Sequence, residues 1–491
     1  MTEVKEKTAL FVAVNSKYVH TNIAVRYLSQ ICRRAGFVCD FAEFTINEPR
    51  NRIIERLYMS DSDIYGFSCY IWNIKCIMEL CRDLKKLKPD CKIVLGGPEV
   101  SFDAEEMLEH NPFVDYIICG EGEKAIIGLM KKGLPEKRCV VYGEEIELDE
   151  LPFPYTDADL EDIVRGEKLV YYETSRGCPF RCSYCLSSVA GSVRFLSIER
   201  VKKEIEKFVK MGVITVKFVD RTFNADKKRA LEIWKYCSNL EGNTRFHFEI
   251  GADLIDDESI EFLKTVPEGK FQFEIGVQST NLQTVDAVSR TMNLDVLKRN
   301  VRELRNAGNI HLHLDLIAGL PYESYDLFVK SFNDIYALKP HALQLGFLKL
   351  LKGSGLRQRA KEFGILYSDS TPYEVFSTDW ITYNEIIRLK AIEDVFERYY
   401  NSGRFVNVLP VIEECFSSPF AFYENLAEFW EKRRLVGQGV KRITLYNLLY
   451  EFMCENLENI FLKNAVQEMK KDFSMWHSNG VGTPEWYKKA E

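Results

Sequence analysis

At 491 residues the chain is too long for one ordinary hydrophobic core, so we expect two or three domains. The hydrophobic share of 46% and the charged share of 28% are typical of a globular protein and exclude a disordered or fibrous one. The net charge of −8 argues against broad, sequence-independent binding of nucleic acid, although a local basic patch stays open.

The start of the chain and its cysteines indicate a cytoplasmic protein. MTEVKEKTAL leads directly into the strand-like FVAV, so we expect neither a signal peptide nor a transit peptide. No apolar run approaches the roughly 18 residues that a membrane span needs, which predicts no membrane partner. The cytosol keeps thiols reduced, so the fourteen cysteines are not expected to form disulfides. We expect about eleven of them to be buried as small hydrophobic residues.

Residues 1–130 alternate between strand and helix patterns and predict an α/β, Rossmann-like domain with a doubly wound parallel sheet. The apolar run TALFVAV opens it, and NIAVRYLSQICRRAG has apolar residues at helical spacing and stops at Gly36. Four further strands are predicted in VCDFAEF, IYGFSC, KIVLGG and DYIICG. Ligands of such folds bind at the carboxyl ends of the strands, where this sequence has NSKYVH, SCYIWN, GGPEVS and GEGE.

The rest of the chain is predicted to form a linker, a barrel and a helical domain. Residues 131–168 are rich in Pro, Gly and acidic residues and indicate a linker with one strand in RCVVYG. Residues 169–359 predict a partial (β/α)6 barrel whose strands are LVYYETS, VITVKFVD, FHFEIGA, FQFEIGV, IHLHLDLI and ALQLGFL. Residues 360–491 are aromatic-rich and helical, and they could form either a packing domain or a lid over a substrate.

Three cysteines differ from the others because they lie so close together. ETSRGCPFRCSYCLSS places Cys178, Cys182 and Cys185 in a C-x3-C-x2-C arrangement directly after the first barrel strand. Three thiolates on one loop can ligate three irons of a 4Fe–4S cluster and leave the fourth iron open. A zinc loop is the alternative, but no second cysteine pair follows. The string, with Tyr184 before its last cysteine, resembles the signature of radical S-adenosylmethionine (SAM) enzymes.

This resemblance covers about residues 169–350 and implies a chemistry. In that family SAM chelates the open iron, and one electron from the cluster splits SAM to give a 5′-deoxyadenosyl radical that abstracts hydrogen from the substrate. A reducing partner such as flavodoxin or ferredoxin is also implied. The implied SAM contacts are Tyr184, Glu249, Gln278, Ser279 and Arg290, although Arg290 could equally be a surface residue at a helix start. Asp220 and Arg221, in VDRTFN at the end of the second strand, are candidate catalytic residues.

The first domain resembles a cobalamin-binding domain more than a dinucleotide-binding one. Its first turn, NSKYVHTN, lacks the G-x-G-x-x-G fingerprint of NAD binding. SKYVHTNIAV, GFSCYIWN, VLGGPEVSF and DYIICGEGE, in this order before the cluster motif, resemble the cobalamin-binding domain of one radical SAM branch. The alternative is that GGP and GEGE are only tight turns. The implied cobalamin contacts are Ser68, Tyr70, Trp72, Gly96, Gly97, Pro98, Glu99, Gly120, Glu121 and Gly122.

A motif missing from the chain predicts the environment of the cobalt. None of the seven histidines lies in a D-x-H-x-x-G motif, so cobalamin is expected to bind base-off and without a histidine ligand from that motif. His20, near a strand end, stays an open alternative. Tyr70 or Trp72 could instead cover the lower face of the corrin, and strand alternation predicts that only one of them faces it.

Together these features predict a cobalamin-dependent radical SAM enzyme that methylates an unactivated carbon. One SAM molecule would methylate cob(I)alamin, and a second would generate the substrate radical that takes up the methyl group. The alternatives are a radical rearrangement or cyclisation without methyl transfer, and a cobalamin or iron–sulfur sensor without turnover. A tRNA methylthio-transferring enzyme is disfavoured, because Cys69, Cys91 and Cys119 lack the spacing for a further cluster and the chain is acidic. The sequence identifies no substrate.

Overall fold

The computed structural model describes residues 8–132, 134–189 and 191–476 together with Pro484, Trp486 and Tyr487. The chain divides into two compact units. The first comprises Met1–Gln272, Leu350–Gln358 and Ser368–Tyr373, and the second comprises Phe273–Lys349, Arg359–Tyr367 and Glu374–Glu491. The first seven residues, which the signal-peptide prediction concerns, and His477 lie outside the described residues.

Residues 8–142 form a six-stranded parallel sheet with helices between the strands. The strands are β1 (Thr8–Asn15), β2 (Val38–Thr45), β3 (Ile64–Ser68), β4 (Lys92–Gly96), β5 (Tyr116–Cys119) and β6 (Cys139–Tyr142). The helices are α1 (Ile23–Arg34), α2 (Arg50–Met59), α3 (Ile74–Leu87), α4 (Ala104–His110) and α5 (Gly122–Lys132). The strand order is β2–β1–β3–β4–β5–β6, which confirms the predicted doubly wound parallel sheet.

The strand order reverses at β1, and this reversal positions a crevice. β1 pairs in parallel with β2 on one side and with β3 on the other. The connections that follow these neighbouring strands therefore lead away in opposite directions and leave a crevice between them. Val12, Phe67 and Leu95 are buried because helices cover both faces of the sheet. β6, which the sequence predicted as an isolated strand in a linker, pairs in parallel with β5 and completes the sheet. It is a short edge strand, and its sequence pattern does not reveal its partner.

A second parallel sheet occupies residues 170–347. After α6 (Asp157–Arg165) come β7 (Val170–Tyr172) and a small antiparallel pair, β8 (Ser175–Arg176) and β9 (Arg194–Phe195). The remaining strands are β10 (Thr215–Phe218), β11 (Arg245–Ile250), β12 (Phe271–Gln278), β13 (His311–Ala318) and β14 (Ala342–Phe347). The helices are α7 (Ile198–Lys210), α8 (Lys227–Asn239), α9 (Asp257–Leu263), α10 (Leu282–Ala287), α11 (Leu294–Ala307) and α12 (Tyr325–Tyr336). The strand order β14–β13–β12–β11–β10–β7 follows the chain, as in the predicted partial barrel.

Strand β12 shows how this sheet separates apolar from polar side chains. Phe271 and Phe273 are fully buried, whereas the alternating Glu274 and Gln278 are only partly buried. Since successive side chains point to opposite faces of a strand, the polar residues share the face away from the apolar core. That face can meet a cofactor or substrate.

Helices dominate the chain beyond the second sheet, as the sequence predicted. After α13 (Gly355–Gln358), the strands β15 (Leu366–Tyr367) and β16 (Val375–Ser377) pair antiparallel. The helices that follow are α14 (Tyr383–Tyr399), α15 (Val408–Glu413), α16 (Pro419–Lys432), α17 (Arg442–Asn456) and α18 (Asn459–Trp476). Among the helices of the described ranges, none is both long and apolar enough to cross a bilayer.

Candidate functional site

A cavity of about 780 Å³ lies in the first unit, at the carboxyl edge of the first sheet. The turns after β1, β3, β4 and β5 line one side of it, and residues from β7, β8 and the end of β10 line the other. All of the predicted cobalamin contacts except Glu99 line this cavity. The four turns selected from the sequence therefore meet at one place, although they are far apart along the chain.

The turns after β3 and β4 approach each other so closely that one position requires glycine. Gly97 has a φ of +108°, and a Cβ atom there would lie 2.6 Å from the carbonyl oxygen of Cys69. The amide of Cys69 donates a hydrogen bond to the carbonyl of Gly96 at 2.7 Å. At Gly96 and Gly97 the cavity wall is therefore backbone without side chains, which lets a flat ligand approach closely.

Tyr70 and Trp72 both line the cavity, although alternation predicted that only one would. Their rings stack with centroids 4.4 Å apart. β3 ends at Ser68, so both residues lie in the following turn, where the alternation of an extended strand does not apply. The indole nitrogen of Trp72 donates to the carbonyl of Val14 at 3.3 Å. Burial raises the pKa of Tyr70.

His20 also lines the cavity and is held in place by the second sheet's first strand. Its Nδ1 lies 2.7 Å from the hydroxyl of Tyr171. Burial lowers the pKa of His20, and the charges of Lys17 and Lys217 lower it further, so the neutral imidazole is favoured. A neutral, oriented imidazole is chemically able to bind a metal, so His20 stays the alternative residue that could bind the cobalt.

Glu99 is the one predicted cobalamin contact that does not line the cavity. Its carboxylate accepts a hydrogen bond from the hydroxyl of Tyr373 and lies 3.4 Å from the ammonium of Lys352. Its side chain is almost fully buried in this pair of contacts. Gly97 and Pro98 line the cavity, whereas the next residue, Glu99, does not.

An acidic cluster on the cavity wall was not anticipated from the sequence. Arg176 lies 2.6 Å from Glu123, 3.0 Å from Glu173 and 3.1 Å from Glu121, and Glu121 also pairs with Arg194. Burial opposes ionisation of Glu121, but the hydrogen bond from Arg194 and the charge of Arg176 hold its pKa below the usual value. Burial raises the pKa of Glu173 to about 7 despite the nearby guanidinium. The sequence feature that could have indicated this acidic cluster is the position of Glu173 and Arg176 in ETSRGC, beside the cysteine motif.

The three cysteines of the motif lie on the loop that follows β8. Cys182 is buried, whereas Cys178 and Cys185 are half-buried. The amide of Cys185 donates to the carbonyl of Cys182 at 3.0 Å, and the sulfur of Cys178 lies 3.6 Å from the hydroxyl of Thr222. Tyr184, within the same loop, is also half-buried.

Three thiolates on one loop suit a 4Fe–4S cluster, because each thiolate binds a different iron and the fourth iron stays open. The ligands of a single zinc ion lie closer together than the thiolates of a cubane. Within the described part of the chain, no three Cys, His, Asp or Glu side chains are arranged to share one ion.

Asp220 supports the start of the cluster loop and does not line the cavity. Its carboxylate accepts hydrogen bonds from the amide of Thr174 at 3.0 Å and from the hydroxyls of Thr174 and Ser175, both at 2.6 Å. Burial raises its pKa, although these hydrogen bonds act in the opposite direction. The carboxylate is enclosed by these donors and holds residues 174–175 in position. Its catalytic role stays a prediction.

Arg221, next to Asp220, does line the cavity. Its side chain is exposed there, and among the described residues its guanidinium forms no hydrogen bond or ion pair. Every carboxylate of the acidic cluster is already paired with Arg176, which leaves Arg221 available for an anionic group of a ligand. On β11, Glu249 is half-buried and lies 3.7 Å from the ammonium of Lys217.

The other predicted SAM contacts lie in the second unit. Ser279 is completely buried, and its hydroxyl donates a hydrogen bond to the carboxylate of Glu323 at 2.5 Å; its contact with SAM stays a prediction. Arg290 donates to the carbonyl of Gly276 at 2.5 Å. Gln278 has a φ of +75°, and its buried side-chain oxygen has no hydrogen-bond partner within the described residues. Such an orphaned acceptor is costly unless a ligand or water satisfies it.

Three family models match the chain. A B12 binding domain matches residues 9–129, and the Radical SAM superfamily matches residues 172–335. Residues 361–491 match a family described as a protein of unknown function (DUF4080). The first match extends from β1 to α5, and the second extends from the last residue of β7 into α12.

Two curated relatives that are methyltransferases show moderate similarity to the chain. The 2-(S-pantetheinyl)-carbapenam-3-carboxylate methyltransferase of Streptantibioticus cattleyicolor is 29% identical over 346 residues, which cover 63% of this chain and 48% of that protein. The cobalamin-dependent radical SAM methyltransferase TokK of Streptomyces tokunonensis is 28% identical over 332 residues, covering 60% of this chain and 47% of TokK. The chain thus spans about half the length of the curated relatives it matches.

Two solved structures share the fold. The cobalamin-dependent S-adenosylmethionine radical enzyme OxsB has a TM-score of 0.66 and 16% identity, covering 99% of this chain and 83% of OxsB. The radical S-adenosylmethionine methyltransferase TsrM of Kitasatospora setae, solved with cobalamin and a [4Fe-4S] cluster, has a TM-score of 0.60 and 15% identity, covering 75% of this chain and 82% of TsrM.

Proposed function

We propose that this chain, which belongs to the cobalamin-dependent radical SAM family, is a methyltransferase that acts on an unactivated carbon. One observation carries the proposal. The cavity formed by the turns of the first sheet is also lined by Ser175, Arg176 and Gly177, the residues directly before Cys178. The expected corrin site and the start of the cluster loop therefore open onto the same space, as a reaction that uses both cofactors requires.

The residues at this cavity fit the two resident cofactors. Cys178, Cys182 and Cys185 would hold the 4Fe–4S cluster. Backbone groups of residues 96–98 and 120–122, with the hydroxyl of Ser68, would hold the corrin amides and the nucleotide tail. When bound, the reduced cluster supplies the electron that cleaves SAM, and cobalamin supplies the methyl group through its cobalt.

The chain's own side chains would bind, orient and exclude water. Tyr70 and Trp72 would cover the lower face of the corrin, where no strong donor is needed. Arg221 would hold an anionic group of the substrate or of SAM, because its guanidinium has no protein partner in the described residues. With its pKa near 7, Glu173 can hold a proton on its carboxyl group at neutral pH, close to the reacting groups.

We propose that SAM is met by Tyr184 of the cluster loop and by polar residues at strand ends. Glu249 would accept hydrogen bonds from the ribose hydroxyls. The unmatched oxygen of Gln278 would accept one from the SAM amino group, and Arg290 would lie near the methionyl end. The reducing partner, such as flavodoxin or ferredoxin, and the cytoplasmic location stay predictions.

The test is an anaerobic incubation of the reconstituted protein with SAM, cobalamin and a reductant, analysed by mass spectrometry. Candidate substrates with an unactivated carbon are added in parallel. S-Adenosylhomocysteine together with 5′-deoxyadenosine supports methylation, whereas 5′-deoxyadenosine alone supports a rearrangement or cyclisation. Neither product, from protein with a full cluster and bound corrinoid, would support a sensor. A variant without the three motif cysteines is the control for chemistry that does not depend on the cluster.

A further inference from the structure

A short segment beyond the second sheet contacts both loops that are expected to hold cofactors. We call this segment, Leu350–Gln358, the strap. It follows β14 in the chain but belongs to the first unit. One part of it contacts the turn after β4, and another contacts the loop of the three cysteines.

At one end of the strap, Lys352 holds the turn that forms the cavity wall. Its ammonium lies 2.7 Å from the carboxylate of Asp103 and 3.4 Å from that of Glu99. It also donates to the backbone carbonyl of Glu99 at 3.4 Å. Since Glu99 directly follows Gly97 and Pro98, these bonds attach the strap to the cavity wall itself. The lysine side chain is mostly buried, so water competes weakly for the bonds.

At the other end, Leu356 holds the cluster loop. Its amide donates to the carbonyl of Ser183 at 2.7 Å, and its side chain is fully buried. Ser183 lies between Cys182 and Cys185. The bond therefore acts on the backbone that spaces two of the cluster ligands.

Between these ends the strap is folded on itself and cannot easily change its length. Arg357 donates to the carbonyl of Leu350 at 2.8 Å, and the hydroxyl of Ser354 donates to the carbonyl of Leu351 at 2.8 Å. Gly353 has a φ of +79°, and a Cβ atom there would lie 2.2 Å from the ring of Phe102. A side chain here would need an unfavourable backbone conformation and a shift of the Phe102 ring, so the strap packs closely against the chain that follows the cavity wall.

We propose that the strap sets the spacing between the cavity wall and the cluster loop, with Lys352 as a positioning residue. The proposal rests on the proposed function in one respect: both loops hold cofactors, and methyl transfer requires a defined distance between them. A displacement at one end would be transmitted to the other, because the connecting backbone is short and internally bonded. Lys352 itself touches neither cofactor site; it acts through Glu99 and Asp103.

The test is amide hydrogen exchange of the reconstituted holoenzyme, followed by mass spectrometry of peptides that cover residues 96–103 and 178–186. In Lys352→Met we expect amide exchange to become about tenfold faster in both peptides. This is the effect expected when the locally closed state loses one charge-assisted hydrogen bond. Lys352→Arg keeps the charge and should restore most of the protection in both. Lys86→Met, which removes an exposed lysine of α3, is the matched control and should leave both peptides unchanged.

Faster exchange in residues 96–103 alone, or in neither peptide, would overturn the proposal, since the lysine would then act only on its own turn. If Lys352→Met does not fold, as judged by circular dichroism, the same exchange measurement is made on Asp103→Asn. This variant removes one carboxylate partner of Lys352 and leaves Glu99, so the same outcomes support or overturn the proposal. The outcome does not depend on methyl transfer. A protein that forms no S-adenosylhomocysteine would contradict the proposed function, while the two peptides would still report whether the strap couples the loops.

Discussion

The rings of Tyr70 and Trp72 are nearly parallel, with 5° between their planes and 4.4 Å between their centroids. Each ring therefore supports the other, and the outer face of the stack presents one ring to a flat ligand. Such a parallel pair contributes roughly 0.5–1.5 kcal/mol beyond the area it buries. A ring that is held in place by a second one and carries no strong donor suits the lower face of a corrin.

Replacing either ring should admit water to cobalt. In Tyr70→Ala and in Trp72→Ala we expect the paramagnetic resonance spectrum of the cob(II)alamin form to acquire an axial water signal that the wild type lacks. Both variants should respond because each removal leaves the remaining ring unsupported. Trp476→Ala, at an exposed position of α18, is the control. Identical spectra in all of these proteins, with corrinoid still bound, would exclude the aromatic cover. A spectrum of the wild type with a nitrogen ligand, lost in His20→Ala, would identify His20 as the axial donor.

The cluster assignment is tested by removing its ligands. Cys178→Ala/Cys182→Ala/Cys185→Ala should lose the brown absorbance, the bound iron and sulfide, and the paramagnetic signal of the reduced cluster, because it removes the three thiolates that would bind the irons. Cys415→Ala/Cys454→Ala removes two exposed cysteines and should keep all of them. Unchanged iron and sulfide per chain in the triple variant would refute the assignment.

Asp220→Asn should destabilise the protein and loosen the start of the cluster loop. The amide group would place a donor against the donors of Thr174 and Ser175, which leaves a buried polar group unsatisfied. We expect a loss of about 2–4 kcal/mol in the free energy of unfolding. Urea denaturation of the apoprotein measures this loss, and iron per chain after reconstitution reports on the loop. Asp90→Asn, at an exposed position, should change neither quantity. An unchanged free energy of unfolding for Asp220→Asn would mean that the enclosed carboxylate does not hold the loop.

Glu173 should make the stability of the protein depend on pH in a defined range. Its pKa rises from 4.5 to about 7 on folding, so the folded protein binds the proton more tightly than the unfolded chain. The free energy of unfolding should therefore decrease as the pH rises from about 4.5 to about 7, by roughly 3 kcal/mol from this group, and then stay level.

Glu173→Gln removes this proton equilibrium. As the pH rises across that range, the wild type should lose stability relative to Glu173→Gln. Above the range, the difference between their free energies of unfolding should be constant. Chemical denaturation at a series of pH values measures the difference. The exposed Glu150→Gln should run parallel to the wild type. A difference between Glu173→Gln and the wild type that is independent of pH would contradict the elevated pKa.

Replacement of Glu249 or of Arg290 is expected to weaken the binding of SAM. In Glu249→Ala and Arg290→Ala, loss of a charged hydrogen bond to a desolvated ligand should cost about 2–5 kcal/mol of binding free energy. Calorimetric titration of SAM into the reconstituted protein measures the affinity, with cluster content as the check that the loop is intact. The exposed Glu241→Ala should bind SAM as the wild type does. Wild-type affinity in both variants would assign these residues to structural roles.

Much of the fold and of the site could be predicted from local sequence patterns. Buried runs and helical spacing predicted the strands of both sheets, and the cysteine spacing predicted the cluster loop, because each pattern depends on residues close together in the chain. The turns with Gly97 and Gly120 were predicted for a related reason. In a parallel α/β sheet the carboxyl ends of the strands share one edge, so their turns must meet.

The sequence by itself determined which elements form and which end of each sheet carries the chemistry. Only the tertiary structure decided the partner of each polar side chain. Glu99 was predicted to face cobalamin, but it pairs with Lys352, which is 253 residues away in the chain. Asp220 is enclosed by Thr174 and Ser175, and no pattern within VDRTFN indicates this. Periodicity indicates which face of an element a residue occupies, whereas its hydrogen-bond partner depends on which distant segment packs against that face.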